Sequence, residues 1–166
     1  MSFKLNLISK SPRETIKIAR ELGERLKGGE VLSLEGTLGS GKTLFVQGLA
    51  QGLKVHKPGE VRSPTFSLIQ EHRGRIPLCH ADLFRLSPAE AKGLGLEEYW
   101  RDQAVWVTAV EWAEKAGGMI PRFDGSRALR IRMKVVSGNE RTLTFSGGNR
   151  WKKSLNQWTA KFRKKS

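Results

Sequence analysis

The segment Gly36-Thr37-Leu38-Gly39-Ser40-Gly41-Lys42-Thr43 matches the P-loop pattern in full. Glycine lets the backbone curl so that successive N–H groups can face the phosphates of a nucleotide. An apolar run at residues 31–34 predicts a strand before the segment, and residues 44–53 predict a helix after it. This context favours a nucleotide-binding loop in an α/β fold. The alternative is a glycine-rich turn that happens to precede a helix.

The residue types of this loop suit a magnesium-bound triphosphate. Lys42 is expected to reach the β- and γ-phosphates, and the Thr43 hydroxyl to ligate Mg²⁺. The N-terminus of the following helix adds partial positive charge. No Asn-Lys-x-Asp string, which would read guanine, occurs in the chain, and its absence favours ATP. The residues expected to bind MgATP are Gly36, Thr37, Leu38, Gly39, Ser40, Gly41, Lys42, Thr43 and Leu44.

Two carboxylates end apolar runs and are candidates for the chemistry beside the loop, Asp82 and Glu111. A P-loop NTPase needs an acid near Mg²⁺ and a group that orients the attacking water. Ligands of open α/β sheets bind at the carboxyl ends of the strands. We assign Glu111, with Thr43, to the metal and Asp82 to the water. The alternatives are a turn or helix cap for Asp82 and a surface ion pair with Lys115 for Glu111.

Alternation and capping signals predict the other elements of the chain. Strands are expected at residues 3–7, 65–70, 78–83 and 104–110, helices after Ser11 and Ser87, and a hairpin over residues 129–145. Strands that alternate with helices around a P-loop predict an α/β layered domain. Because the last two strands form a hairpin, the sheet is expected to be mixed, mostly parallel and flanked by helices.

The charge of the 166-residue chain is uneven. The formal net charge is +14, and residues 122–166 hold 13 Lys or Arg against 2 Asp or Glu. We divide the chain into a P-loop ATPase domain (residues 1–147) and a basic tail (residues 148–166). A concentrated positive charge indicates either a solvated surface or attraction to a polyanion or an acidic partner.

The tail is predicted to be an amphipathic helix. Trp151, Leu155, Trp158 and Phe162 recur at helical spacing, and lysines and arginines occupy the other positions. We expect this apolar stripe to pack on the domain. The basic side is expected to help contact tRNA or a partner complex.

Other features indicate a cytoplasmic protein without membrane contact. No apolar stretch is long enough to span a bilayer, and residues 1–10 lack the pattern of a secretory signal. Cys79 is the only cysteine, so no internal disulfide can form. Cys79 and His80 are adjacent, but no second pair stands at zinc spacing, and we expect no zinc site.

Four motifs in this order and spacing resemble the TsaE family, also called YjeE. They are LGSGKT at 38–43, SPTF at 63–66, HADLFRL at 80–86 and VEW at 110–112. The similarity runs from about Phe3 to Phe145 and is much more specific than the P-loop alone. Members of this family are small bacterial ATPases needed to make threonylcarbamoyladenosine in tRNA. The family protein works with a TsaB–TsaD pair, and its ATP hydrolysis is thought to reset that complex between turnovers.

The resemblance implies roles for the matching positions. The P-loop would bind MgATP, with Lys42 and Asp82 as catalytic residues, Asp82 acting on the attacking water. Thr65 would lie close to the γ-phosphate and metal in a switch-like loop. Glu111 would be associated with Mg²⁺, and Trp112 would lie beside the nucleotide.

The chain departs from the family pattern in two ways. Phe84 stands where the family usually has tyrosine, so a hydroxyl contact there is lost or was never essential. The residues after about Gly147 have no counterpart in the common pattern that we can place, so the role of the tail is open.

Two other functions are consistent with parts of the sequence. A small-molecule P-loop kinase would transfer the phosphate of ATP to a metabolite, but Arg73, Arg75 and Arg85 are scattered and form no lid-like segment. A basic RNA-binding protein with an incidental P-loop would bind RNA without any need for ATP. We see no arginine placed within the chain as an arginine finger, so a partner would have to supply one.

Overall fold

The computed structural model describes residues 3–101, 104–121 and 127–163, with side chains described as far as residue 160. The strands are β1 (Phe3–Ser9), β2 (Val31–Glu35), β3 (Ile69–His72), β4 (Leu78–Asp82), β5 (Val107–Glu111), β6 (Ala128–Ser137) and β7 (Glu140–Gly147). The α-helices are α1 (Pro12–Gly23), α2 (Lys42–Gly52), α3 (Pro88–Lys92) and α4 (Asn149–Arg163). Short 3₁₀ helices occur at Pro58–Glu60, Leu96–Tyr99 and Ala113–Ala116.

Within the described residues, the strands form a single sheet in the order β1-β7-β6-β2-β5-β4-β3. The central strands β6, β2, β5 and β4 are parallel to one another. The outer strands pair antiparallel: β7 with β6, β1 with β7, and β3 with β4. The predicted α/β fold with a mixed sheet is therefore confirmed. The carboxyl ends of β2, β5 and β4 lie side by side, which is where a ligand site is expected.

The larger core lies between one face of the sheet and helices α1, α2 and α4. Ile18 and Leu22 of α1 and Leu49 of α2 belong to this core, and all three are almost fully buried. Ser11 caps α1 by accepting the Glu14 N–H, as the capping signal predicts. This packing places the N-terminus of α2 directly after the loop that follows β2.

A second, smaller core covers the other face of β4 and β5. Cys79, Ala81 and Val110 are buried there against Leu96 and the residues around it. Trp106 is partly buried against this cluster, consistent with a structural role. Burial also raises the pKa of the Cys79 thiol well above its usual range, which disfavours the reactive thiolate.

The strand predicted at residues 65–70 is wrong over most of its length. Residues 65–68 form a turn, in which the Leu68 N–H donates to the Pro64 carbonyl across 2.7 Å and Leu68 has a φ of 64°. β3 begins at Ile69. The β-branched and aromatic residues Thr65 and Phe66 favour a strand, but the turn closed by Pro64 overrides that local preference.

The strand predicted at residues 104–110 begins three residues later than expected, at Val107. Val105 is 62% exposed, and the Trp106 carbonyl accepts the Gly29 N–H instead of joining the ladder. Residues 104–106 are therefore a connection that leads into β5.

Helix α4 follows β7 after one residue and packs on the larger core. Trp151, Leu155 and Trp158 are buried, and the rings of Trp158 and Phe145 are nearly perpendicular with centroids 5.6 Å apart. Trp158 Nε1 donates to Glu21 Oε2 across 2.9 Å. The predicted contributions of Phe162 and of the basic residues from 161 to 165 fall outside the described side chains. The division of the chain at Gly147 stays a prediction.

Among the residues that the structure describes, no helix has both the length and the apolar character needed to span a membrane.

Candidate nucleotide-binding site

The loop between β2 and α2 has a positive φ, which only glycine adopts readily, at three of its glycines. Gly36 has a φ of 150°, and a Cβ atom there would lie 2.5 Å from the Met133 carbonyl oxygen. Gly41 has a φ of 104° and forms the N-cap of α2. Between them the Ser40 N–H donates to the Thr37 carbonyl across 3.1 Å. These bends aim the loop and the helix N-terminus at one point, as anion binding requires.

Lys42 lies across this loop. Its Nζ donates to the carbonyl oxygens of Gly36 and Thr37, at 2.7 and 3.0 Å, and lies 4.0 Å from the centroid of the Trp112 ring. Burial lowers the pKa of the Lys42 ammonium, while the carboxylates of Glu111, Glu114 and Asp82 act in the opposite direction. A cation held at the mouth of a curled loop is well placed to receive a phosphate.

Glu111 at the end of β5 is oriented through both carboxylate oxygens. Oε2 accepts the Thr43 hydroxyl across 3.0 Å, and Oε1 lies 2.8 Å from His80 Nε2. His80 is 0% exposed and Glu111 is 3% exposed, so the pair is shielded from water. Because an ionised carboxylate only accepts, His80 Nε2 is the donor. Lys115 does not pair with Glu111 and instead donates to the Phe84 carbonyl.

Asp82 lies opposite Glu111 in the register of β4 and β5. One of its oxygens accepts the Ser63 hydroxyl, and the other accepts the Phe84 N–H across 2.9 Å. The contact with Phe84 is that of a turn-capping aspartate, the alternative to a catalytic role. Ser63 Oγ is also 3.3 Å from Thr65 Oγ1. Asp82 therefore links the end of β4 to the segment that contains Ser63 and Thr65.

A cavity of about 530 Å³ lies over the loop, within the size range of small-ligand sites. Its lining residues are Leu38, Gly39, Gly41, Lys42, Thr43, Leu44, Ser63, Thr65, Asp82, Phe84, Glu111, Trp112 and Arg141. The candidate residues Gly36, Thr37 and Ser40 belong to the loop but not to this lining. The other candidates from the sequence are brought together here from four separate segments.

Two aromatic rings form one wall of the cavity. The centroids of Phe84 and Trp112 are 4.8 Å apart, and Lys115 Nζ lies within 6 Å of both ring centroids. Trp112 has a φ of 56°, an uncommon conformation for a bulky residue. Such backbone strain clusters at ligand-binding sites.

Sequence reasoning missed two residues of this lining. One is Arg141, and the other is Ser63, whose contact with Asp82 was not predicted. Arg141 Nε donates to the Ser40 carbonyl across 2.9 Å, although 101 positions separate the two residues. The SPTF motif was a signal for Ser63. The sequence gives no such signal for Arg141, because a single cation near the start of a strand does not indicate a binding residue.

The oxygen atoms near Thr43 suit Mg²⁺. No group of three or more His, Cys, Asp or Glu that could hold a metal by itself occurs in the described part of the chain. Mg²⁺ at nucleotide sites is commonly held by one or two carboxylates together with substrate phosphates and water. The Thr43 hydroxyl beside the Glu111 carboxylate fits that kind of site.

Comparison with known proteins links the chain to one family. The model of the family described as "Threonylcarbamoyl adenosine biosynthesis protein TsaE" matches residues 9–143. The Bacillus subtilis tRNA threonylcarbamoyladenosine biosynthesis protein TsaE is 41% identical over 143 residues, which cover 85% of each chain. The protein of the same name from Nostoc is 48% identical over 104 residues, 61% of this chain. That match spans 63% of the Nostoc protein, less than two thirds of its length.

A solved structure extends the similarity to the C-terminal helix. The crystal structure of Bacillus subtilis YdiB matches with a TM-score of 0.75 and 34% identity, covering 98% of both chains. A match of that extent includes most of the residues after Gly147. The residues after Gly147 lie outside the family model, which ends at residue 143, as the motifs predict, while the structural likeness to YdiB continues beyond them.

Proposed function

The chain belongs to the TsaE family of threonylcarbamoyl adenosine biosynthesis proteins, and from that premise we propose that it is a MgATP-binding ATPase. We propose that it hydrolyses ATP slowly and supports a TsaB–TsaD complex in the threonylcarbamoyladenosine modification of tRNA. The observation that carries this proposal is the contact between Thr43 and Glu111 at the mouth of the loop. It joins a hydroxyl of the P-loop to an acid from a separate strand, which metal-dependent phosphoryl transfer requires.

Phosphate binding is the first step. The N–H groups of the loop and the N-terminus of α2 receive the β- and γ-phosphates. Lys42 exchanges its contacts with the Gly36 and Thr37 carbonyls for contacts with phosphate oxygens. Thr43 and Glu111 are the residues that would hold Mg²⁺. The ion, when bound, neutralises charge on the phosphate oxygens.

Hydrolysis needs a group that places water in line with the leaving phosphate. Asp82 ends the strand next to β5, and its carboxylate faces the same cavity as Lys42 and Thr43. Its contact with Ser63 joins that carboxylate to the segment of Thr65. We assign to Asp82 the orientation of the attacking water, and to Thr65 a position near the γ-phosphate. Movement of this segment would then change the position of Asp82.

Slow turnover is expected because no arginine that lines the cavity contacts the side of the loop next to Asp82 and Glu111. The lining contains one arginine, Arg141, which contacts the loop from β7. An arginine finger supplied by a partner accelerates related enzymes by about 10³–10⁵-fold. A TsaB–TsaD complex is the partner that we propose for such stimulation. We propose that this interaction takes place in the cytoplasm.

The exposed cations of α4 are proposed to help contact tRNA or the partner complex. Lys152 and Lys153 are exposed on the side away from the buried Trp151 and Leu155. Phosphate contacts by such cations weaken steeply as salt rises. If neutralising both lysines leaves tRNA affinity, its salt dependence and the partner interaction unchanged, this part of the proposal is wrong.

Nucleotide binding and turnover test the central proposal. Binding of ATP and GTP is measured by calorimetry, and phosphate release is measured with and without a TsaB–TsaD complex. We expect ATP to bind in preference to GTP, Lys42→Ala to abolish binding or turnover, and the complex to raise the rate. Equal affinity for GTP would contradict the ATP assignment. Transfer of phosphate to a metabolite in an acceptor screen would instead indicate a kinase.

A further inference from the structure

We propose that Arg141 binds the nucleoside end of ATP, with the flat face of its guanidinium group against the adenine ring. This inference rests on the proposed ATP binding and adds a residue that holds the base of the nucleotide. Arg141 lies at the start of β7, in a part of the chain that carries none of the motifs.

The sheet order separates Arg141 from the acids. β4 and β5, which carry Asp82 and Glu111, lie on one side of β2, and β6 and β7 lie on the other. The loop at the end of β2 therefore has the acids on one flank and Arg141 on the opposite flank. The contact of Thr43 with Glu111 marks the acidic flank as the metal and γ-phosphate side. Arg141 is left to face the other end of a nucleotide.

The guanidinium group of Arg141 is held by two backbone carbonyls. Nε donates to Ser40 across 2.9 Å, and a terminal nitrogen donates to Asn139 across 2.8 Å. A Cβ atom on Gly41 would lie 3.2 Å from Arg141 Nε, so the side chain runs close against the loop backbone. Two bonds of this kind hold the plane in place before any ligand arrives, which lowers the entropic cost of binding.

No carboxylate balances this cation among the residues that the structure describes. The contacts of Arg141 are with the carbonyls of Ser40 and Asn139, while Arg130 and Arg132 on the neighbouring strand share Glu35. An arginine that lines a cavity without an acid partner is suited to an anion or to an aromatic face. Because Nε of Arg141 already donates to the Ser40 carbonyl, the flat face of the guanidinium group is the part that is favoured for contact with a ligand.

The aromatic residues of the cavity lie on the other flank. Trp112 follows β5 and Phe84 follows β4, so both rings accompany the acids. On the flank of β6 and β7, the cavity is lined by Arg141. The planar group available to a purine on that side is therefore this guanidinium.

The test compares ligands that share the phosphates but differ in the base. Mg²⁺-dependent binding of ATP, ADP and inorganic tripolyphosphate is measured by calorimetry for the wild-type chain, Arg141→Ala and Arg141→Lys. Arg150→Ala removes the same charge in the first turn of α4, where the side chain is exposed, and serves as the matched control. Thermal unfolding of each variant shows that the fold is retained.

We expect Arg141→Ala to weaken ATP and ADP about 10-fold, within the range of cation–π contacts. Tripolyphosphate binding should stay within about twofold of the wild-type value, since the phosphate contacts are intact. Arg141→Lys keeps the charge but not the flat face, so it should weaken ATP similarly.

Two outcomes would overturn the assignment while leaving the proposed function in place. One is an unchanged ATP affinity in Arg141→Ala. The other is an equal loss for tripolyphosphate together with recovery in Arg141→Lys, which would mean a phosphate contact. A folded wild-type chain that binds no ATP would instead overturn the proposed function, and this inference with it.

Discussion

His80 Nε2 donates to Glu111 Oε1 across 2.8 Å, between two side chains that are buried from solvent. The other oxygen of Glu111 accepts the Thr43 hydroxyl. His80 thus holds the carboxylate that faces the P-loop, although it does not line the cavity itself. Partners of this kind, which orient a metal-binding carboxylate, affect metal affinity without touching the metal.

Replacing His80 should therefore change the dependence on Mg²⁺. We expect His80→Leu to weaken Mg²⁺-dependent ATP binding by about 10-fold, because Glu111 loses the donor that orients it. His80→Gln carries an N–H donor and should recover part of the loss. Titration of Mg²⁺ at fixed ATP measures the effect. A shift in unfolding temperature with unchanged Mg²⁺ dependence would mean that His80 has only a structural role.

Glu111→Gln keeps the size of the side chain and removes its charge. We expect Mg²⁺-dependent ATP binding to weaken, while binding measured with EDTA changes little, because the lost charge acts through the metal. Glu114→Gln is the control, since Glu114 also acts on the pKa of Lys42 but does not line the cavity. Normal hydrolysis and metal affinity in Glu111→Gln would contradict the assignment.

Asp82→Asn should separate binding from turnover. The amide oxygen can still accept the Phe84 N–H, and the amide NH₂ can donate to Ser63 Oγ in place of the lost bond, so the turn is preserved and ATP should remain bound. Single-turnover hydrolysis should fall by about 10²–10⁴-fold, the usual cost of losing acid–base help. If this variant loses the nucleotide while Glu111→Gln hydrolyses normally, the two roles are reversed.

The C-terminal helix should contribute strongly to stability. Trp158 is 0% exposed and contacts both Phe145 and Glu21, so Trp158→Ala should lower the free energy of unfolding by about 3–5 kcal/mol. Lys153→Ala, on the exposed side of the same helix, should change it by less than about 0.5 kcal/mol. Urea unfolding of both variants checks this, and equal stabilities would show that α4 is dispensable.

Local patterns predicted much of this molecule because their information is contiguous. The loop from Gly36 to Thr43 depends on backbone angles that glycine permits, so its conformation can be read from neighbouring residues. The hairpin of β6 and β7 and the helix after Gly147 also follow from short-range periodicity. Residues 65–68 show the limit, because a turn next to Pro64 overrides their strand preference.

The sequence alone determined the P-loop, the order of helices and strands, and the two acids that end β4 and β5. Each of these depends on residue types at fixed short spacing, and short spacing is preserved whatever the rest of the chain does. Only the tertiary structure decided that His80 orients Glu111, that Ser63 contacts Asp82 and that Arg141 contacts Ser40. These contacts depend on which strands are neighbours in the sheet. That order is set by how all the apolar faces are buried together, which no local pattern records.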